Sequence, residues 1–397
     1  MNILFATDDD LLTSVVYDIH TLSEGLSRQG HDVFVLDFDR VREAGKTRSN
    51  TTLCRVFGDS NAKLVRIPYV QISKVGVGLG FFQSLFAIRR VVKEKQIDVI
   101  VLYSVCMTGL PAIIVSRMSG IPLIFRSIDM LHRLAPTAFV GSILNVLERC
   151  VYKGAGSFWA LSPKYREYLV EHGARPETVH QLPFPVDTSA FSQEVEGREE
   201  YYFDADDGNS NLIVFVGVLY AFNGLLDFVR NFDHVTRQAP DAKLLIVGDG
   251  VLRGELEELI SSAGLGDSVR ITGMQPFERL PQIINKAAIC LNVYPVDGEM
   301  RDLFCAKVIQ YLACGKPTVS SAVPGMVTML PGEECGVVYV KDGESAAREV
   351  GALLTSAERR ERLGRQGREY VELVHECRHV IQRADLLLKT SLATCAK

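Results

Sequence analysis

The residues best suited to chemistry lie between Glu299 and Pro317, in the segment EMRDLFCAKVIQYLACGKP. A strand-like apolar run, AAICLNVYP, ends just before them, and helical periodicity resumes after a polar loop. This pattern predicts a helix that begins near Phe304–Ala306 and ends at Cys314-Gly315. The start of such a helix presents free backbone N–H groups and the positive end of the helix dipole, and both suit a phosphate group.

Three polar side chains of this segment could serve one ligand. Asp302 and Gln310 are eight residues apart, close to two helical turns, so both could face one side if the helix begins early enough. Lys307 lies between them as a cation. Asp302 also suits the simpler role of a helix cap, and Lys307 and Gln310 that of ordinary surface residues, so both interpretations remain open at this point.

The rest of the chain predicts an α/β protein with two parallel sheets, because strand-like runs alternate with segments of helical periodicity in each half. An acidic, polar stretch at 187–210 separates the halves. Ligands of open parallel sheets bind at the carboxyl ends of the strands, which is where the polar segments described above would lie. The predicted strands are NILFAT, HDVFVLDFD, IDVIVLYS, IPLIFRS, GSFWALS, VHQLP, NLIVFVGVL, AKLLIVGDG, SVRITGM, AAICLNVYP, KPTVSSA and GVVYV.

Length and composition limit the function further. A chain of 397 residues exceeds the usual size of a single core, and 47% hydrophobic with 23% charged residues is ordinary for a globular protein. A net charge of −5 argues against nucleic acid as a partner, because such binding needs a basic face. The acidic Asp8-Asp9-Asp10 interrupts the apolar N-terminal run, and the nine cysteines form no C-x-x-C pair, so we expect a cytoplasmic protein with reduced thiols.

Two apolar segments raise the question of a membrane. Residues 99–116 carry no charge, but Gly109 and Pro111 interrupt them, which favours a strand, a turn and a helix over a spanning helix. The segment from Val75 to Lys95 joins apolar bulk to a basic end. Peripheral contact with the inner face of a membrane is therefore an alternative to a helix packed on its own sheet, which we favour.

One motif points to different chemistry. The segment from His375 to His379 reads H-E-x-x-H, the signature of a zinc protease helix. No Asp, Glu or His follows Asp385 to provide a third ligand, and Arg378 adds a charge within the motif. We therefore predict no metal site here and assign the segment to a C-terminal helix.

Several segments, in their order along the chain, carry a resemblance to a known family. The chain resembles the retaining family 4 glycosyltransferases of the GT-B fold over nearly its whole length. The segments that carry the resemblance are LERCVYKGAGSFWALSPKYREYLVEHG, LPFPVDTSAF, FVGVLYAFNG at 215–224, LLIVGDG at 244–250, VRITGMQPFERLPQIINKAAICL at 269–291 and ACGKP at 313–317.

The resemblance implies two Rossmann-like domains that face a central cleft, and the transfer of a sugar from a nucleoside-diphosphate sugar to an acceptor hydroxyl with retention of anomeric configuration. It implies a UDP- or GDP-linked donor, no cofactor, and an acceptor that is a glycan, a lipid-linked molecule or a small molecule. The implied boundaries are an acceptor-binding domain at 1–190, a linker at 191–210, a donor-binding domain at 211–375, and a helix at 376–397 that packs back on the first domain.

The resemblance also implies roles for individual residues. Asp302 would contact the hydroxyls of the transferred sugar, Gln310 would hold the ribose, and the segment 274–278, which begins at Met274, would line the base. The amides of Phe304, Cys305 and Ala306 would hold the sugar or the diphosphate. The loop 8–14, with Asp9, would close over the diphosphate, and Gly217 and Asn223 would belong to the loop that follows the first strand of the second domain.

The chain departs from the family pattern at the positions that carry charge. A neutral Gln310 stands where the family has a second acid. The phosphate-binding Arg and Lys that the family places after Gly217 are absent: Val218 or Leu219 and Asn223 stand there. We hypothesise that Lys307, Arg301 or Arg126 supplies the missing positive charge.

The first domain departs from the pattern too. Asp8-Asp9-Asp10 replaces the usual Gly-Gly, and Ile128 stands where the family has a catalytic His. Asp129 and His132 are the nearby candidates for that role, although a histidine is more often structural. These losses also motivate an alternative function, namely a catalytically inactive binding or regulatory subunit of the same fold.

Overall fold

The computed structural model describes residues 1–40, 51–68, 73–135, 137–193, 211–296 and 304–395. The chain forms two compact units. The first unit contains Met1–Pro185 and Cys377–Lys397, and the second contains Val186–Glu376. Each unit has one largely parallel sheet flanked by helices, which confirms the predicted α/β class with two parallel sheets.

The first sheet has eight strands in the order β3-β4-β2-β1-β5-β6-β7-β8, and all neighbours are parallel except β3 and β4. The sequence did not predict β3 and β4, because β3 has two residues and β4 is interrupted by the polar Lys63 and Arg66. The strands are β1 (Asn2–Ala6), β2 (Asp32–Asp39), β3 (Thr52–Leu53), β4 (Ala62–Pro68), β5 (Val99–Leu102), β6 (Leu123–Ser127), β7 (Ser157–Ala160) and β8 (Val179–Gln181).

Six helices accompany this sheet among the described residues of the first unit. They are α1 (Asp18–Arg28), α2 (Ser73–Lys95), α3 (Gly109–Ser119), α4 (Ala138–Gly154), α5 (Pro163–Glu171) and α14 (Cys377–Cys395). The C-terminal α14 packs on α1, where Gly25 has no side chain and Ile381 therefore lies directly against the α1 backbone. The last helix of the chain thus belongs to the first unit.

The second sheet is entirely parallel, in the order β11-β10-β9-β12-β13-β14. The chain turns to one side of β9 to form β10 and β11 and then to the other side to form β12, so the switch point of the sheet lies between β9 and β12. The strands are β9 (Leu212–Val216), β10 (Lys243–Val247), β11 (Val269–Gly273), β12 (Ile289–Asn292), β13 (Thr318–Ser321) and β14 (Val337–Val340).

One core of buried apolar side chains joins this sheet to part of the helices of the second unit. Eight α-helices lie among the described residues of this unit. They are α6 (Leu225–Arg230), α7 (Asp233–Thr236), α8 (Arg253–Ser262), α9 (Leu280–Asn285), α10 (Ala306–Ala313), α11 (Pro324–Met329), α12 (Gly343–Leu354) and α13 (Ala357–Val374). Across the helices of the described ranges, none combines the length and apolar character that crossing a bilayer requires.

Candidate functional site

The start of α10 lies beside the end of β9 because Tyr311 ties the two elements together. Strands β9 and β12 pair only at Ile213 and Val214, so the backbone of Val216 has no partner in β12. The buried hydroxyl of Tyr311 accepts a hydrogen bond from the Val216 amide at 2.7 Å and donates one to the Val216 carbonyl at 3.3 Å. Tyr311 lies in the second turn of α10, so this contact holds the helix beside the end of β9 at the switch point of the sheet.

The first turn of α10 offers unused hydrogen-bond donors. The helix begins at Ala306, as the sequence predicts, and its cap residue Cys305 makes no side-chain capping bond. The Cys305 amide points at the Met326 sulfur at 3.1 Å, which is a weak acceptor. Within the described part of the chain, the amides of Ala306 and Lys307 have no acceptor. Two N–H groups at the positive end of a helix are thus available to an anion.

Lys307 brings a cation to the same place. Its Nζ lies 3.7 Å from the ring centroid of Phe215 and 5.2 Å from that of Tyr294, and no carboxylate pairs with it among the described residues. Protein surrounds the ammonium group although part of the side chain reaches solvent. This burial lowers the pKa of Lys307 to about 8, and a Cys305 thiolate would oppose the shift. An unpaired, partly desolvated ammonium group gains much from an incoming anion.

Two glycines allow the loops after β9 and β10 to touch. Gly217 and Gly248 both have positive φ, at 147° and 153°, and a side chain on Gly248 would collide with the Gly217 carbonyl. A side chain on Gly217 would in turn meet the Lys307 ammonium. The turn at Gly248-Asp249-Gly250 therefore brings the two loops together, and Gly217 leaves room for Lys307.

The structure describes most of the other residues of the second unit that were predicted to bind the sugar donor. Gln310 is one turn from Lys307 on α10, and its side chain has no hydrogen-bond partner among the described residues. Asn223 is buried and donates to the Val218 carbonyl at 2.9 Å, so it shapes the loop after β9. Met274 is exposed just after β11. Asp302 and Arg301 lie outside the described residues, and Phe304 is buried immediately before α10.

An aromatic group near Lys307 was not predicted from the sequence. Tyr220 and Phe222 stack with ring centroids 4.9 Å apart, and Phe222 lies 6.2 Å from Tyr294 at the end of β12. Tyr220 is half exposed. The only sequence signal was the presence of aromatic residues just after two neighbouring strands.

A cavity of about 400 Å³ lies within the first unit at the carboxyl ends of β1, β5 and β6. The loop Asp8-Asp9-Asp10 after β1 lines part of this cavity, but the carboxylates of Asp8 and Asp10 already bind other groups of the protein. Asp8 accepts hydrogen bonds from the Met107 and Thr108 amides, both at 2.9 Å, and Asp10 forms an ion pair with Arg66. The remaining acid of the loop, Asp9, accepts a 2.7 Å bond from the Tyr17 hydroxyl.

Asp129 is the least engaged carboxylate of this cavity. It lies just after β6 and has no hydrogen-bonding or ion-pair partner among the described residues. Solvent reaches it through the cavity, but the surrounding protein raises its pKa to about 6, and the charges of Asp18 and Asp9 add to the shift. Asp129 is therefore a hydrogen-bond acceptor that is mainly ionised at neutral pH and can also take up a proton.

His132 does not line the cavity. Its Nδ1 lies 2.8 Å from both the Glu148 carboxylate and the Tyr168 hydroxyl, and its ring stacks on Tyr168. Glu148 also accepts from the Leu131 amide. These contacts favour the structural interpretation of His132.

The hypothesis that Arg126 supplies charge to a phosphate is wrong. The side chain of Arg126 is fully buried in the first unit, where it forms an ion pair with Asp18 at 2.7 Å and donates to the Leu182 carbonyl at 2.6 Å. Its charge is therefore neutralised inside the protein. Within the described residues, Lys307 is the hypothesised cation that remains available.

Two family models match the chain and together cover most of it. The model of "Glycosyl transferases group 1" matches residues 199–370, and that of "Glycosyl transferase 4-like domain" matches residues 15–185. The chain belongs to the family 4-like glycosyltransferases. The site at the start of α10 in this glycosyltransferase thus lies in the group 1 region, and the acidic cavity in the 4-like region.

Individual proteins agree with this assignment. The alpha-D-kanosaminyltransferase of Streptomyces kanamyceticus is 26% identical over 57% of this chain and 59% of its own length. Sucrose-phosphate synthase of Thermosynechococcus elongatus has a TM-score of 0.77 at 16% identity, with 99% of each chain covered. HepE of Anabaena, solved with UDP-glucose, has a TM-score of 0.71 at 14% identity, over 98% of this chain and all of its own.

The two structural likenesses show that this glycosyltransferase has the GT-B fold. The sequence matches are partial, because the chain spans 59–65% of the length of the first curated relatives.

The H-E-x-x-H segment of the glycosyltransferase does not lie on one helix. His375 follows the last residue of α13, and α14 begins at Cys377. Between the two helices, Glu376 forms a β-bridge with Val186 and accepts a hydrogen bond from the Thr188 hydroxyl. The chain breaks between helices inside the motif, so the two histidines are not one helical turn apart. Within the described ranges, no group of three or more His, Cys, Asp or Glu side chains could hold a metal ion.

We expect the Tyr311→Phe substitution to destabilise the second unit. Loss of the hydroxyl leaves the amide and carbonyl of Val216 buried without partners, so the free energy of unfolding should fall by about 1–3 kcal/mol. Urea unfolding of the full chain measures the change. Tyr370→Phe is the matched control, since it removes one partly buried bond to the Met329 carbonyl and should cost less. Equal stability of Tyr311→Phe and the parent protein would contradict the anchoring role.

Proposed function

We propose that the protein transfers a sugar from a UDP-linked donor to an acceptor hydroxyl, with retention of anomeric configuration. The observation that carries this proposal is the Lys307 ammonium at the start of α10, which pairs with no carboxylate of the described residues, beside two helix amides that have no acceptor among those residues. The complex of HepE with UDP-glucose supports a UDP-linked donor, and the resemblance to retaining family members supports retention.

The site can stabilise the charge that develops on a departing diphosphate. The amides of Ala306 and Lys307 belong to the helix that Tyr311 anchors, and the Lys307 ammonium lies against the Phe215 ring, so little reorganisation is needed as charge builds up. Gln310, one turn along the same helix, offers an amide to a ribose hydroxyl without bringing a negative charge near the diphosphate. The proposal requires no cofactor.

The cavity of the first unit suits the acceptor. Asp129 would accept a hydrogen bond from the acceptor hydroxyl and so orient it, while Asp9 holds its place through Tyr17. Because the pKa of Asp129 is about 6, its carboxylate is available for this bond at neutral pH. The departing diphosphate is the group that takes the acceptor proton in this scheme.

The first test is ligand-dependent stability followed by transfer. We expect UDP and UDP-sugars to raise the midpoint of thermal unfolding, because a ligand at about 100 times its Kd adds about 2.7 kcal/mol to the stability of the folded state. Release of UDP from a stabilising UDP-sugar in the presence of an acceptor, with the product anomer identified by NMR, then tests transfer and retention.

The outcomes of this test separate the candidate functions. Stabilisation by GDP and GDP-sugars alone would replace UDP as the proposed base. Stabilisation without any transfer or hydrolysis would favour the inactive binding subunit. No stabilisation by any nucleotide would contradict the donor site itself.

Lys307 gives the donor affinity a characteristic pH dependence. Since its pKa is about 8, Lys307 loses its charge as the pH rises through 8, and we expect the affinity for UDP to fall over that range. Lys307→Met should bind UDP about tenfold more weakly below pH 8 and show no such fall. The exposed Lys341→Met is the control, because Lys341 lies on the surface of the second unit. Isothermal titration calorimetry from pH 6.5 to 9.5 measures both effects.

The same shift predicts a stability effect without ligand. The folded pKa of Lys307 lies below its ordinary value of 10.5, so the unfolded chain binds more protons between pH 8 and 10.5. The contribution of Lys307 to the free energy of unfolding therefore becomes more favourable as the pH rises through that window.

A flat pH dependence of UDP affinity in the parent protein would contradict the role given to Lys307 in donor binding.

We expect Asp129 to affect the rate of sugar transfer and not the binding of the donor. We expect Asp129→Asn to lower kcat for transfer by about tenfold, because a neutral amide oxygen replaces a charged acceptor, and to leave the stabilisation by UDP unchanged. Asp59→Asn, at an exposed position of the same unit, is the control. A variant Asp129→Asn with parental kcat would show that the acceptor is oriented by other residues.

A further inference from the structure

Helices α2, α3 and α4 form one layer on one face of the first sheet. The crossovers from β4 to β5, from β5 to β6 and from β6 to β7 all step in the same direction along the sheet. Right-handed crossovers in one direction place their helices on the same face. Helix α3 packs against both α2 and α4, so the outer sides of the three helices form a continuous surface.

This surface, which we call the outer helix layer, is unusually apolar. Eight of the fifteen large hydrophobic side chains that are exposed among the described residues lie on its three helices. Phe86 on α2 is 69% exposed and Phe139 on α4 is 75% exposed. The others are Leu79, Phe82, Ile114, Met118, Ile143 and Val146. A concentration of this kind on one face marks an interaction surface.

The exposed side chains follow the helical repeat. Leu79, Phe82 and Phe86 form one stripe on α2, and Arg89 and Lys93 continue the same stripe toward the helix end. On α4 the stripe consists of Phe139, Ile143 and Val146. These side chains therefore point away from the sheet as ordered rows, with bulky apolar groups followed by basic groups.

The charge of the layer is opposite to that of the chain. The three helices contain eight Lys and Arg residues and only two acids, whereas the whole chain has a net charge of −5. One of the two acids, Glu148, is buried, which leaves Glu94 as the single acid exposed on these helices. A second copy of the chain would present the same positive surface and would be repelled. The occupant that matches apolar bulk and positive charge together is an anionic lipid surface.

We propose that the outer helix layer docks on the surface of an anionic membrane, with its phenylalanines among the lipid chains and its basic residues against the headgroups. None of the described helices is long and apolar enough to cross a bilayer, so the contact is peripheral. This binding goes beyond the proposed function and does not depend on transfer activity. It would bring the protein to acceptors that are themselves held in the membrane.

Co-sedimentation of the full chain with vesicles tests the proposal. We expect binding to vesicles that contain phosphatidylglycerol, much weaker binding to pure phosphatidylcholine, and loss of binding as the salt concentration rises. The triple variant Arg89→Glu, Arg90→Glu, Lys93→Glu should lower the partition coefficient by roughly a hundredfold or more, since each basic residue near the surface contributes about fivefold. Phe82→Ser combined with Phe86→Ser should also lower it.

Matched controls come from the second unit. Val251→Ser removes a hydrophobic side chain that is 77% exposed, and Lys341→Glu reverses an exposed charge, so neither should change vesicle binding. Every variant should keep the parental stabilisation by UDP, which shows that the second unit is intact and separates this test from that of the donor site.

Three results would overturn the proposal. The first is a parent protein that stays in the supernatant with anionic vesicles at low salt. The second is vesicle binding that the α2 variants leave unchanged. The third is an oligomer in size-exclusion chromatography that Phe82→Ser with Phe86→Ser dissociates, without vesicle binding by the parent, because the layer would then bind a second copy.

Discussion

The double hydrogen bond between the Tyr311 hydroxyl and the backbone of Val216 determines where the chemistry of the second unit can occur. Strand β9 loses its partner β12 before it ends, which would leave two buried backbone groups without hydrogen bonds. One phenol satisfies both and also fixes the helix that carries it. The Lys307 side chain of this helix therefore lies beside Gly217, next to the strand end that Tyr311 satisfies. Stability and site geometry depend on the same contact.

In the first unit, several buried charged side chains bind one another or the backbone. Arg126 and Asp18 are both buried, and their ion pair is completed by hydrogen bonds to backbone carbonyls. Asp8 binds the amides that precede α3, so a carboxylate performs the capping role at that helix start. Most polar atoms of these groups bind other parts of the protein, although one carboxylate oxygen of Asp18 has no hydrogen-bond partner among the described residues. Asp129 is the exception, because its position after β6 gives it no such partner.

The amino-acid sequence was sufficient to predict most secondary-structure elements, but it was not sufficient to predict which side chains contact one another. Apolar periodicity predicted twelve of the fourteen strands and the start of α10, because buried parallel strands and amphipathic helices leave strong patterns. It missed β4, whose alternating burial is interrupted by charged residues. The sequence also could not assign a role to Arg126, because an arginine can serve equally well in a buried ion pair or in a contact with phosphate. Only packing across the sheet showed that Asp18 neutralises it. The pairing of Phe215 with Lys307 was invisible for the same reason.

The departures from the family pattern are electrostatically consistent with one another. The resemblance implies two basic residues after Gly217 and an acid at position 310, a local sum of one positive charge. This chain has neither basic residue, a neutral Gln310, and the ammonium of Lys307 at the same place, so the sum is unchanged. A carboxylate at position 310, one turn away, would pair with Lys307 and reduce its attraction for an anion, so the neutral Gln310 leaves this cation without such a competitor on α10. A restored acid at position 310 would therefore weaken the site in this chain, although the family pattern contains it.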